Sequence, residues 1–373
     1  MPSTQCRFGS CAAALAAACV MALGAQSTAG AQSRTGAQSS TGAQSSTGAA
    51  AGAAANTIAA HVAAARSLAG STWLEMYSEM CGDAMSSEGR RGAAPPAGGR
   101  QAGPPPREAW YSPPVKMFDN MYGFSTPEIL DARTGEPVHN VMAMALVTSA
   151  GIIMIDATYD YSVKGLIVDE MPKLGLDPKQ IKYAVVTHNH FDHFGGAKYL
   201  QDTFGTRIVM GGLDWAGVEK GAAYVPDNTA RKDIVVAEGQ KLTLGDTTIT
   251  LYNTPGHTVG TVSAIIPVKD KGVTHYAALW GGTSISKAMP YDQLVAYNSS
   301  ARKMRDLSAK AGVDVILSPH GRVIDFPRRA GARNAFPNGP NPFIEGQVDV
   351  RNWWELIDHC SQAVEMAQAA RKN

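Results

Sequence analysis

From Asn56 the apolar residues Ile58, Val62, Ala65, Ala69, Trp73, Met76 and Met80 recur at three- and four-residue intervals, which predicts one amphipathic helix ending near Cys81. Beyond a Pro/Gly-rich stretch the period shortens. A strand is expected around Val115–Met121, then a pair, Val141–Val147 and Ile152–Asp156, hinged at Ser149, Ala150 and Gly151. Helices at Val163–Met171 and Gly195–Phe204 alternate with strands at Lys182–Val186 and Arg207–Met210. Residues Asp233–Val268 read as mostly β, with Lys241–Leu244 and Thr247–Tyr252 split by a Gly-Asp turn. A strand at Tyr276–Trp280, a helix at Leu294–Ala311 and a strand at Val313–Leu317 follow. Two β-rich regions with helices outside predict an α/β sandwich of two sheets. The chain closes on a helix whose stripe is Val350, Trp353, Ile357, Cys360 and Val364, so Cys360 should face inward.

Composition adds the flanks. Arg7, the apolar run Cys11–Leu23 and the small residues after it have the order of a secretory signal peptide, with cleavage expected after Ala25 or Ala31. Cys19 behind three alanines is a weak match to a lipoprotein site. A six-residue repeat (GAQSTA, GAQSRT, GAQSST, GAQSST) then runs from Gly24 and is too polar and small to form a core. The expected organisation is signal peptide 1–25, tether 26–55, N-terminal helix 56–82, Pro/Gly-rich linker 83–113, α/β domain 114–345 and C-terminal helix 346–373. A net charge of +1 with scattered charges argues against nucleic acid, and the mature chain is expected to be free of the membrane, periplasmic or secreted. Export would remove Cys6, Cys11 and Cys19 of the five cysteines, leaving Cys81 and Cys360 as a pair that an oxidising compartment would join, stapling the two terminal helices. Oligomeric state is not legible.

The chemistry is concentrated in His188-Asn189-His190-Phe191-Asp192-His193, directly after a strand and before a Gly-Gly helix start. Imidazole nitrogens and a carboxylate are the ligands zinc prefers, and a bend between strand and helix lets them converge. His257 in TPGHT and His320 in SPHG each follow a predicted strand in a Pro/Gly turn, where a sheet presents ligands at one edge. His61, His139, His275 and His359 lack such surroundings and read as structural or surface residues.

These elements, THNHFDHFGG, TPGHT and SPHG in that order with Asp156 of IIMIDA in front, resemble the metallo-β-lactamase superfamily from about Pro114 to His320. The resemblance implies a four-layer αββα sandwich, to which the N-terminal helix, the Pro-rich linker and the NPFIEG tail with its helix are extra. It implies that His188, His190 and His257 hold one zinc ion and Asp192, His193 and His320 a second, with Asp156 as a carboxylate behind the metal site. Many relatives, glyoxalase II and the homoserine lactonases among them, place a metal-bridging aspartate in a later Gly-Asp-Thr turn. This chain has Trp280-Gly281-Gly282-Thr283-Ser284-Ile285-Ser286-Lys287 there, which is similar to the third subclass of the class B β-lactamases.

The expected reaction is attack of a metal-bound hydroxide on a carbonyl, with Asp192 orienting the nucleophile and handling its proton. No Ser-His-Asp arrangement or GxSxG turn points to covalent catalysis. Ser284 and Ser286, two apart at a predicted strand end, and Lys287 beside them are candidates for binding a substrate carboxylate. The reading is an exported zinc hydrolase of a small amide or ester, a β-lactam being the most specific candidate. The alternatives are a lactonase or thioesterase of the same fold, and an exported metal-binding module without turnover.

Overall fold

The computed structural model describes residues 57–86, 105–130, 137–138, 140–220 and 229–371. The expected signal peptide, Cys6, Cys11, Cys19, the repeat tether, most of the linker and His139 lie outside them. Fourteen strands are formed among the described residues: β1 Val115–Phe118, β2 Met121–Ser125, β3 Ile129–Leu130, β4 Pro137–Val138, β5 Met142–Thr148, β6 Gly151–Ile155, β7 Ile181–Val185, β8 Arg207–Gly211, β9 Ile234–Val236, β10 Gln240–Leu244, β11 Thr247–Asn253, β12 Val262–Asp270, β13 Val273–Leu279 and β14 Val315–Leu317. The helices are α1 Ile58–Ala69, α2 Leu74–Met85, α3 Phe191–Phe194, α4 Ala197–Phe204, α5 Gly212–Glu219, α6 Tyr291–Ala311, α7 Phe326–Ala335 and α8 Gln347–Ala370.

One sheet has the order β1-β2-β5-β6-β7-β8-β9 and the other β10-β11-β12-β13-β14. The first is antiparallel up to β6 and parallel from there, because β6, β7 and β8 are joined by helical crossovers. The strand period sorts its residues between two cores. On β5, Met142, Met144 and Leu146 face the second sheet while Ala143 and Ala145 face the helical layer; on β6, Ile153 and Ile155 divide from Ile152 and Met154 in the same way. The four-layer sandwich is thus the expected fold.

Several boundaries differ from the sequence reading. The N-terminal helix is two helices, since Gly70, at φ 52°, ends α1 and its N–H turns back to the Ser67 carbonyl. Residues 115–125 form a hairpin rather than one strand, with Met121 paired to Phe118. Val163–Met171 tightens into a π-helical turn at Val163–Val168 before a 3-10 turn. Helices α5 and α7 were not foreseen. The Arg-rich α7 carries no clear apolar stripe; it is held through buried Arg329 and Arg333, paired with Glu345 and Asp270.

Helix α8 lies against α1, α2 and α6. Cys81 of α2 and Cys360 of α8 are joined by a disulfide, as expected. An aromatic chain runs inward from this staple: Trp73 meets Trp353 (ring centroids 6.3 Å apart), Trp353 meets Trp354 (4.7 Å), Trp354 meets Trp280 (5.4 Å), and the Trp280 indole donates to Tyr297 (3.0 Å). Tyr297 donates in turn to the Thr283 carbonyl at 2.7 Å. The terminal helices therefore back the 281–287 segment at the edge of the second sheet. Among the described residues no helix is long and apolar enough to cross a membrane.

Candidate metal centre

Strand β7 ends at Val185, and Thr187 to His190 form the bend into α3, so His188, His190, Asp192 and His193 are presented at the carboxyl edge of the first sheet. The β11–β12 loop brings His257 to the same place, and the turn after β14 brings His320. Two groups of three result: His188, His190 and His257, and Asp192, His193 and His320, each with donor atoms within 4.8 Å of one another. The rings of His188 and His193 lie 4.1 Å apart, so the groups share a wall. His61, His275 and His359 belong to neither: His275 meets Asp314 (2.6 Å), and His61 meets His359 at the α1–α8 contact.

The hydrogen bonds behind the histidines settle which nitrogens face the centre. His188 Nδ1 lies 2.9 Å from the Gly281 carbonyl and His257 Nδ1 2.6 Å from the Ser284 carbonyl, so each donates there and turns an Nε2 lone pair inward. Both Nε2 atoms are 3.1 Å from His190 Nδ1. One proton on His190 could serve only one of them. Tetrahedral zinc with bonds of about 2.0–2.1 Å places neighbouring donors about 3.3 Å apart, so the spacing and the convergent lone pairs fit a cation of that kind. Burial, with the neighbouring imidazoles, holds His188 neutral far below its ordinary range and takes His257 down to about 3.

The second group is charged differently. Asp192 Oδ2 is 3.2 Å from His193 Nε2 and 3.9 Å from His320 Nε2, and those two nitrogens are 3.2 Å apart. His193 Nδ1 donates to Asp156 Oδ2 at 2.8 Å. Burial works against the imidazolium, but Asp192 and Asp156 outweigh it and push His193 up to about 10. Burial likewise opposes the Asp192 carboxylate, yet His193, then His320 and His190, hold its pKa well below the usual carboxylate range. Asp156 is fully buried at a left-handed φ of 59° and also accepts from Thr187 N (2.7 Å) and Thr187 Oγ1 (2.9 Å). It orients His193 from behind, in the position expected of it.

Two features were not read from the sequence. Asp214, fully buried at the start of α5, accepts from Asn189 N (3.0 Å), Thr258 Oγ1 (2.7 Å) and Gly260 N (2.9 Å), tying the His188–His190 bend to the His257 loop. Its signal was an acid in a strand-to-helix turn, GGLDW, at the same sheet edge as the candidate ligands. The second feature corrects the sequence reading of Ser284, Ser286 and Lys287. Lys287 is buried, its ammonium donating to the Asp83 carbonyl (2.9 Å) and the Ser86 carbonyl, and Ser284 Oγ donates to Glu79 Oε1 at 2.9 Å. Ser286 Oγ accepts from Ala288 N at 3.1 Å. The cation and one hydroxyl are drawn toward α2, whose docking on this segment no local pattern reveals.

Comparison with known proteins agrees with the geometry. The sequence pattern of the metallo-β-lactamase superfamily matches residues 136–270, and an uncharacterized protein of Mycobacterium leprae is 30% identical over 181 residues, 43% of this chain and 75% of that protein. The chain belongs to the metallo-β-lactamase superfamily. Among solved structures, the subclass B3 metallo-β-lactamase BJP-1 of Bradyrhizobium japonicum superposes with a TM-score of 0.55 at 25% identity, covering 72% of this chain and 98% of that one. FEZ-1 from Legionella gormanii shares the fold, with a TM-score of 0.56 at 19% identity over 71% and 97%. A hydroxyacylglutathione hydrolase of Acidiphilium cryptum is 38% identical over 84 residues, 22% of this chain, and the match spans 30% of that enzyme's own length.

Proposed function

We propose that the protein is an exported zinc hydrolase acting on a small amide or ester. The observation that carries this is the pair of adjoining three-ligand groups, His188, His190 and His257 beside Asp192, His193 and His320. Zinc bound there would lower the pKa of a coordinated water to about 7 and polarise a carbonyl oxygen. The chain's own contribution is positional. Gly281, Ser284 and Asp156 fix three imidazole tautomers, and Asp192, its side chain about a quarter exposed (24%), stays ionised so that its carboxylate can take a proton from the attacking water. The Cys81–Cys360 disulfide supports export, because such bonds persist in oxidising compartments.

A β-lactam is the amide candidate, on the likeness to BJP-1. The backbone at Gly281 and Gly282 favours it over a centre with a bridging carboxylate there: a Cβ on Gly281 would lie 1.9 Å from the Val262 carbonyl oxygen, and one on Gly282 2.4 Å from His257 Cβ. A lactone or thioester is the second reading, on the likeness to hydroxyacylglutathione hydrolase. The choice turns on whether the site grips a carboxylate. The mature protein should hold two zinc ions per chain and turn over at least one of a penicillin, a cephalosporin, an acyl-homoserine lactone and a thioester. Zinc without turnover of any of them would make it a metal-binding module instead.

A further inference from the structure

The buried face of α2 carries Met76, Met80 and Cys81, and with them two acids, Glu79 and Asp83, 3% and 0% exposed. Burying a carboxylate is unfavourable unless it accepts hydrogen bonds, so what each accepts shows what the helix holds. Glu79 Oε1 takes the Ser284 hydroxyl proton (2.9 Å), and Asp83 Oδ2 takes the Lys287 backbone N–H (2.6 Å). From the other side Gln368 of α8 donates to the Lys287 carbonyl (2.9 Å) and to the Met289 carbonyl. The segment 284–289 is therefore clasped between two helices that the Cys81–Cys360 disulfide joins, next to the Glu79 and Asp83 contacts on α2 and about two turns before Gln368 on α8.

This segment touches the metal centre directly, since the Ser284 carbonyl accepts the His257 Nδ1 proton at 2.6 Å. Ser284 is half-buried, and its own carbonyl places it next to His257. A carboxylate arriving there needs donors. The Ser284 hydroxyl has one proton, and Glu79 holds it. The Lys287 ammonium points into the α2 C-terminus, to the carbonyls of Asp83 and Ser86.

We propose that helix α2 makes this a site for substrates uncharged beside the scissile carbonyl, such as a neutral ester, lactone or thioester, with Glu79 as the specificity-determining residue. The proposal rests on the zinc-hydrolase reading and narrows it: the carboxylate beside the reactive amide of a β-lactam finds the Ser284 proton and the Lys287 charge already engaged. Glu79→Gln keeps the side-chain shape but can donate an amide hydrogen to Ser284 Oγ, which frees the hydroxyl proton for a ligand.

The test compares two zinc-binding ligands that differ by one carboxylate, acetohydroxamate and the monohydroxamate of succinate, titrated calorimetrically into the zinc-loaded full chain. The parent should bind them within about twofold of each other. Glu79→Gln should tighten the succinate compound about tenfold and leave acetohydroxamate within twofold, and adding Ser284→Ala to it should remove that gain, the double-mutant cycle assigning the effect to the pair. Ser284→Ala alone should leave the parent's ratio unchanged, an arm that does not depend on Glu79→Gln folding. A parent that already prefers the succinate compound tenfold, a Ser284→Ala change that weakens it alone, or a Glu79→Gln gain that survives loss of Ser284 would each overturn the proposal. Failure of the parent to bind acetohydroxamate at all would strike the metal reading itself, and this proposal with it.

Discussion

His193 stands between two carboxylates, and that placement makes its proton the one a metal must displace. In the metal-free protein its pKa is raised from 6.5 to about 10, so at pH 7 the second group holds a proton on Nε2, where the ligand lone pair is needed. Zinc binding to this group should therefore release a proton, and its affinity should rise about tenfold per pH unit toward pH 10. Metal titration in weak buffer, with the released acid measured, checks this; uptake independent of pH would contradict it. The same shift has a sign for stability. The His193 contribution is fully present below pH 6.5 and is lost as pH rises through about 10. His257 runs the other way: its pKa is lowered to about 3, so its contribution is present above pH 6.5 and fades as pH falls toward 3. Metal-free protein should be most stable between the two losses. Asp192→Ala should abolish turnover and empty the second group while leaving the fold intact, because the side chain is partly exposed and fills no core volume. Near-normal activity in that variant would remove Asp192 from the centre.

At the scale of elements, the centre is held by braces between loops. Asp214 on α5 ties the β7–α3 bend to the β11–β12 loop, so Asp214→Ala should loosen His188 and His257 together and lower zinc affinity of the first group by about 10–100-fold, as loss of supporting partners does at other metal sites. Competition with a chelator, following the two sites separately, would show whether the loss is confined to that group. Gly282, just past the end of β13, lies close against the candidate ligand His257, so Gly282→Ala should displace His257 and bring bound metal from two ions toward one, with secondary structure unchanged by circular dichroism. A variant retaining both ions would mean that the loop gives way easily.

For the whole molecule, the terminal helices decide more than their sequence position suggests. The Cys81–Cys360 bond spans 279 residues, and in the chain-entropy model a link of that length contributes at most ~5 kcal/mol, less any native strain. The Cys81→Ser/Cys360→Ser protein should unfold at lower urea and, because α2 and α8 clasp residues 284–289, should lose zinc before it loses the core sheets. Simultaneous loss of zinc and of both sheets would show that the staple acts only on global stability.

The sequence by itself determined the sandwich and the candidate ligands. Two β-rich regions flanked by helical periods mark the two sheets, and four of the six candidate ligands fall within six residues of one bend, where covalent proximity leaves little for the rest of the fold to choose, whereas β5 and β6 are apolar on both faces and only the fold sorts their residues between two cores. His257 and His320 were legible because Pro/Gly turns after strands mark the same sheet edge. Helix breaks were less so: Gly70 sits inside an unbroken apolar stripe, and only its positive φ ends α1. Tertiary structure alone decided the partners. Which nitrogen of His188 or His257 faces the metal depends on carbonyls at Gly281 and Ser284, far along the chain, and whether Ser284 and Lys287 meet a substrate depends on where α2 docks. A polar side chain has no preferred partner until burial removes water as the alternative, and burial is a property of the folded whole.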